Sequence, residues 1–119
     1  MSSFRFQNLE IWKRGALLNR ECFELADQLE ARRLFRFAEQ LRAAALSITN
    51  NIAEGSGSSS VADFANFLNF SRRSIFETAN MLLILAENSY LEESRTAPLL
   101  LELEEISRMI SSFKRTLKK

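Results

Sequence analysis

The sequence predicts an all-α protein, an antiparallel up-down-up-down four-helix bundle. Three observations carry that expectation. Apolar residues recur at helical spacing along most of the chain, and only three glycines and one proline interrupt it. The strongest segment, Leu34 to Gly57, holds a seam of Leu34, Ala38, Leu41, Ala45, Ile48 and Ile52 in steps of 4-3-4-3-4. An average step of 3.5 lets helices lie nearly side by side. At 119 residues the chain has the size of one domain with its own core, and residues 1–119 are read as a single bundle.

Each element has its own local logic. Residues 1–7 are a short lead with Phe4 and Phe6 available to tuck against the body. Asn8 is the expected N-cap of the first helix, and Glu10 suits the positive end of its dipole. Leu9, Trp12, Ala16, Leu18, Cys22, Leu25 and Leu29 continue the stripe to about Ala31. Arg32 and Arg33 lead into the second helix. Gly55 is expected to stop that helix by taking a left-handed conformation.

The third helix is expected from about Val61 to Asn88. Ser56 to Ser60 connects to it, with Ser60 and Asp63 resembling a capping box. Its main stripe is Val61, Phe64, Leu68, Ser71, Ile75, Leu82 and Ala86, yet Phe67, Phe70, Phe76, Met81, Leu83, Ile84 and Leu85 lie off it. A helix that is apolar nearly all round is covered on more than one side. The fourth helix is expected near Thr96, with Pro98 in its first turn, where a missing N–H costs little. Leu99, Leu103, Ile106, Ile110, Phe113 and Leu117 repeat the 4-3-4-3-4 steps. Helices of roughly 20 to 27 residues, about 30–40 Å long, with short connections favour antiparallel neighbours.

Composition excludes several chemistries. The chain has no histidine and one cysteine, Cys22. A ferritin-type di-iron centre needs Glu-x-x-His pairs, so it is not expected, nor is a histidine-based triad or a His- or thiolate-ligated zinc. No catalytic, cofactor-binding or metal-ligating set emerges. With 16 Lys and Arg against 15 Asp and Glu, net charge is +1, so any nucleic-acid surface must be local. No apolar run approaches the ~20 residues of a membrane span, and no signal core opens the chain. A cytoplasmic protein without membrane contact is the expectation.

Five groups invite a functional reading. Asn50, Asn51 and Glu54 form a polar cluster that suits a ligand near the loop, though satisfying the helix end and neighbouring helices is favoured. Glu77 is expected to pair with Arg42 or Arg73 as a structural bridge. Gly55-Ser56-Gly57 lacks the spacing of a phosphate loop and reads as a turn. Lys13 and Arg14, Arg32, Arg33 and Arg36, and the terminal Lys114, Arg115, Lys118 and Lys119 are the basic groups. Arg32, Arg33, Arg36, Lys114, Arg115 and Lys118 are the candidates for weak RNA or DNA contact, against a plain solvated surface. The ten phenylalanines exceed what one side of each helix needs, which places an oligomer interface at Phe67, Phe70, Phe76 and Ile84.

The run QLRAAALSITNNIAEGSG, Gln40 to Gly57, resembles the pattern Q-x-R-R-A-A-x-S-I-P-x-N-I-A-E-G of the four-helix-bundle proteins encoded in 23S rRNA intervening sequences. FQNLEIWKRG is similar to that family's opening F-x-x-L-x-x-W. DFANFLNFSRRSIFETANMLLIL is similar to its E-F-x-x-F-L-x-x-A-x-G-S-x-x-E, with Ser74 and Glu77 as anchors. Thr49 stands where the family usually has proline, Ala43 where it often has arginine, and Ser71 where alanine is common. The resemblance implies an up-down bundle assembling as a homopentamer, and no established reaction. It also implies a nucleic-acid alternative, since a strongly basic accessory protein of diversity-generating retroelements is a relative. The combined expectation is a non-enzymatic, self-associating interaction or scaffold protein, with a weak RNA- or DNA-binding module as the alternative.

Overall fold

Four apolar stripes, each along one side of a helix, leave water together only by facing one another. The computed structural model, which describes residues 3–117, shows that arrangement. A short 3₁₀ turn, Arg5–Asn8, precedes α1 (Glu10–Ala31), α2 (Phe35–Ser56), α3 (Val61–Glu87) and α4 (Glu93–Thr116). No strand occurs among the described residues. The bundle measures 48 × 28 × 20 Å. At one end the Phe64 and Phe113 rings meet at 5.7 Å with Arg5 over Phe64. At the other, Phe37 and Tyr90 meet at 5.6 Å with Arg32 over Tyr90.

The seams form one continuous core. Ala38, Leu41, Ala45, Ile48 and Ile52 of α2 are fully buried, and Leu34 is half-buried at their head. Leu18, Cys22, Leu25 and Leu29 of α1 face them, with Leu68, Ile75 and Leu82 of α3 and Leu103, Ile106 and Ile110 of α4. Each such aliphatic side chain contributes about 1.5–3 kcal/mol through burial. Between α1 and α4 the contact is partly ionic. Arg14 donates from Nε and Nη2 to the two carboxylate oxygens of Glu102, at 2.6 and 2.9 Å, and Arg95 reaches Glu24 at 3.6 Å.

The structure corrects several local expectations. Asn8 closes the 3₁₀ turn, and Leu9 occupies the N-cap of α1 without a side-chain cap. The aromatic lead explains this: Phe6 packs on Trp12 at 5.2 Å and fixes the entry of the chain. Gly55 is helical rather than a stop. α2 runs on to Ser56, Gly57 is its right-handed cap at φ −89°, and no glycine has positive φ. α4 begins at Glu93, so Pro98 lies beyond the first turn. The carbonyl it leaves without a helical donor is that of Ser94, an exposed residue. Glu77 is exposed and Arg42 points the other way, to Asp27 at 2.7 Å and Glu30 at 2.6 Å on α1.

Ser60 does cap α3, accepting from the Asp63 N–H at 3.0 Å. Only half of the box forms, because the Asp63 carboxylate accepts from Ser58 Oγ instead. The two left-handed residues are not glycines. Arg33, at φ 65°, and Ser89, at φ 64°, end α1 and α3 at the same end of the bundle. In each case the next N–H reaches back to the carbonyl five residues earlier, Leu34 to Leu29 and Tyr90 to Leu85, at 2.9 and 2.8 Å. These are paired Schellman closures.

Candidate functional site

Helix α3 carries the largest share of exposed apolar side chains. Phe70, Phe76, Leu83 and Ile84 face solvent, with Phe76 61% exposed. Phe67 is half-buried instead, its Cβ lying 2.7 Å from where a Cβ on Gly55 would sit, and its ring meeting Phe70 edge-on. The exposed four form two flanks rather than one patch. Phe76 borders α4, beside Leu100 and Glu104 in a shallow groove, and Leu83 lies seven residues on. Phe70 and Ile84 share the opposite flank, 14 residues or about four turns apart. The guanidinium of Arg72 lies 5.7 Å from the Phe76 ring centre, and its Nε donates to Ser107 Oγ, which anchors the guanidinium beside that ring.

The polar cluster of α2 divides. Asn50 and Glu54 are exposed on the outside, whereas Asn51 turns toward α3. Asn51 Nδ2 donates to Ser47 O and Oγ, at 2.8 and 3.0 Å, and Ser47 Oγ meets Ser74 Oγ at 2.8 Å. Ser71 Oγ donates to Ile48 O at 2.7 Å and Thr78 Oγ1 to Ser74 O. The hydroxyls and the amide N–H are therefore matched to one another or to main-chain carbonyls along α2 and α3, as buried polar groups must be.

The basic candidates separate as well. Arg32 donates from Nη1 to Tyr90 O at 3.0 Å and Ser89 O at 3.4 Å, holding the two Schellman closures together. Arg33 and Arg36 are exposed beside it. Lys114 and Arg115 lie at the opposite end of the bundle, Lys114 near Asp63 and Asn66, and Arg115 donating to Ser112 Oγ. Lys118 and Lys119 are outside the described residues. No single basic face joins the two sets.

A groove between α1 and α2 escaped the sequence-based reading. It has a volume of about 490 Å³, with Phe6, Trp12, Phe23 and Leu46 on its walls and Arg20 and Asn50 at its rim. Asn19 and Thr49 also line it. Asn19 Nδ2 donates to Thr49 Oγ1 at 2.9 Å, and Thr49 Oγ1 donates to Leu46 O. Gly15 lets the helices close here, since an added Cβ would lie 2.8 Å from Thr49 Cγ2. The available signal was an asparagine on the helical line from Trp12 to Phe23. Cys22 is fully buried, and burial pushes its thiol up to about 12. Among the described residues no group of three or more Asp, Glu, Cys or His could hold a metal ion, and no helix is long and apolar enough to cross a membrane.

Comparison with known proteins places this architecture. The model of the 23S rRNA-intervening sequence protein family matches residues 7–112. The chain belongs to that family. The match spans the Trp12 segment, the Gln40–Gly57 pattern and all of α3, so the resemblance read from those residues holds. Among solved structures, a protein of unknown function from the S23 ribosomal protein family of Bacteroides thetaiotaomicron VPI-5482 superposes with a TM-score of 0.83. The two are 23% identical, and the match covers 89% of this chain and 99% of that one. At that identity the likeness establishes the shared four-helix fold. No curated protein matches in sequence. Thr49, where the family pattern has proline, supplies the hydroxyl that Asn19 meets.

Proposed function

We propose that this family member is a non-enzymatic, self-associating interaction or scaffold protein, assembling as a homopentamer. The observation that carries the reading is the pair of apolar flanks on α3, Phe70 with Ile84 and Phe76 with Leu83, outside a core that is already closed. Exposed phenylalanine, leucine and isoleucine side chains concentrated on one helix favour an interface there. Two different flanks on one subunit suit a closed ring, in which each copy meets its two neighbours through unlike surfaces. An isologous dimer needs only one patch. The pentameric count itself comes from the family resemblance.

The test is a pair of charge substitutions, Phe76→Glu and Ile84→Glu, one on each flank. Both sites are exposed, so circular dichroism is expected to show an intact helical fold. Sedimentation velocity is expected to show loss of the assembly, because an unpaired carboxylate in an apolar contact costs several kcal/mol. Unchanged sedimentation of both variants would remove α3 from the interface.

Weak nucleic-acid binding is the second reading, and it rests on Arg33 and Arg36, exposed at one end. Titration of rRNA fragments at several salt concentrations tests it, and binding without salt dependence contradicts a phosphate-led mode.

A further inference from the structure

We infer that the α1–α2 groove is a binding site for a small aromatic molecule carrying a ring N–H donor. The inference rests on a buried acceptor together with the shape and lining of the groove. Asn19 is 7% exposed and spends its amide N–H on Thr49, yet its Oδ1 has no hydrogen-bond partner. An unmatched buried carbonyl oxygen is costly, so a donor that reaches it recovers the loss. Oδ1 keeps less than 1 Å² of surface. The amide turns as one unit within the broad χ2 well of asparagine, so bringing the oxygen toward an entering group lengthens the Nδ2–Thr49 bond, and the ligand's gain is net of that loss.

The surroundings select the rest of the ligand. Phe6, Trp12, Phe23 and Leu46 give apolar and aromatic walls to an open groove of about 490 Å³, which has room for one small ring system. Aromatic walls favour a flat ring in offset or edge-on contact. Arg20 and Asn50 at the mouth accommodate a polar substituent. The site does not involve the α3 flanks and stands whether or not those form the subunit contact.

The experiment is calorimetric titration of the full chain with indole and, separately, with 1-methylindole, which has the same ring system but no N–H. Indole is expected to bind saturably and at least about fivefold more tightly, the size of one net hydrogen bond. The variant Asn19→Leu is expected to bring the two affinities together. Absence of saturable indole binding up to its solubility limit overturns the site. Equal affinity of the two compounds for the unmodified chain overturns the role of Asn19, as ordered water at Oδ1 would produce. That comparison needs no variant, so a folding defect in Asn19→Leu leaves it decisive.

Discussion

The position a Cβ would take on Gly55 lies 2.7 Å from Phe67 Cβ. Phe64 Cδ1 is 2.8 Å from the same point, so α3 crosses α2 over the one residue that has no side chain. Because a Cβ is fixed to its backbone, Phe67 cannot yield by a rotamer change alone. Gly55→Ala is expected to destabilise by about 1–3 kcal/mol, as overpacking does. Gly57→Ala, where the nearest atom is 3.6 Å away and φ is −89°, is expected to be neutral or slightly stabilising. Urea unfolding of both variants checks the contrast. Equal effects would show that the α2–α3 crossing does not depend on Gly55.

The left-handed residues make an opposite prediction. Arg33 and Ser89 hold φ near 65°, a region that costs any residue with a Cβ about 1 kcal/mol. Arg33→Gly and Ser89→Gly are each expected to raise stability by up to about 1 kcal/mol, offset in part by the flexibility gained on unfolding. A rise in the thermal midpoint of either variant agrees, and a fall in both contradicts the Schellman geometry.

The Arg14–Glu102 pair links stability to pH. The hydrogen bond from Arg14 holds the Glu102 carboxyl below the usual carboxylate range, against the opposing effect of burial. A carboxyl depressed in the folded state adds stability above its unfolded value of about 4.3 and loses it as pH falls through the folded value. Both side chains are about one-third exposed, so solvent screens the pair. Glu102→Gln is expected to cost roughly 0.5–1 kcal/mol at neutral pH. As pH falls below the lowered folded value of Glu102 the variant and the parent are expected to converge. A constant difference in denaturation midpoint across that range would mean that the carboxylate charge is not what matters.

Cys22 is expected to be inert while the protein is folded. It has no exposed surface, and its thiol is pushed up to about 12 by burial and by the nearby Glu21 carboxylate, so little thiolate forms near neutral pH. A chromogenic disulfide reagent should react with it at the rate of unfolding and not faster. Immediate labelling of the native protein would show that the core around α1 opens readily.

The architecture was legible because the repeat in α2 and α4 is set by geometry within one helix. Leu41 and Ile48 are buried for the same reason they are seven residues apart. The exposed positions of Phe70, Phe76 and Ile84 follow from that geometry too, since they lie off the α3 seam. Apart from the earlier start of α4, the misreadings involve a second element. Gly55 resembles a helix stop until Phe67 arrives from α3, and Asn8 resembles a cap until Phe6 packs on Trp12. Glu77 had two acceptable partners on paper, Arg42 and Arg73, and Arg42 found Asp27 and Glu30 on α1 instead. Asn19 and Thr49 are 30 residues apart, and no pattern within either helix joins them.

The mass of the unmodified chain in solution, measured by light scattering at micromolar concentration, tests the central claim most directly. The account predicts a closed assembly near five times the 13.7 kDa of one subunit. A single species of 13.7 kDa would contradict it and leave the two α3 flanks without a role.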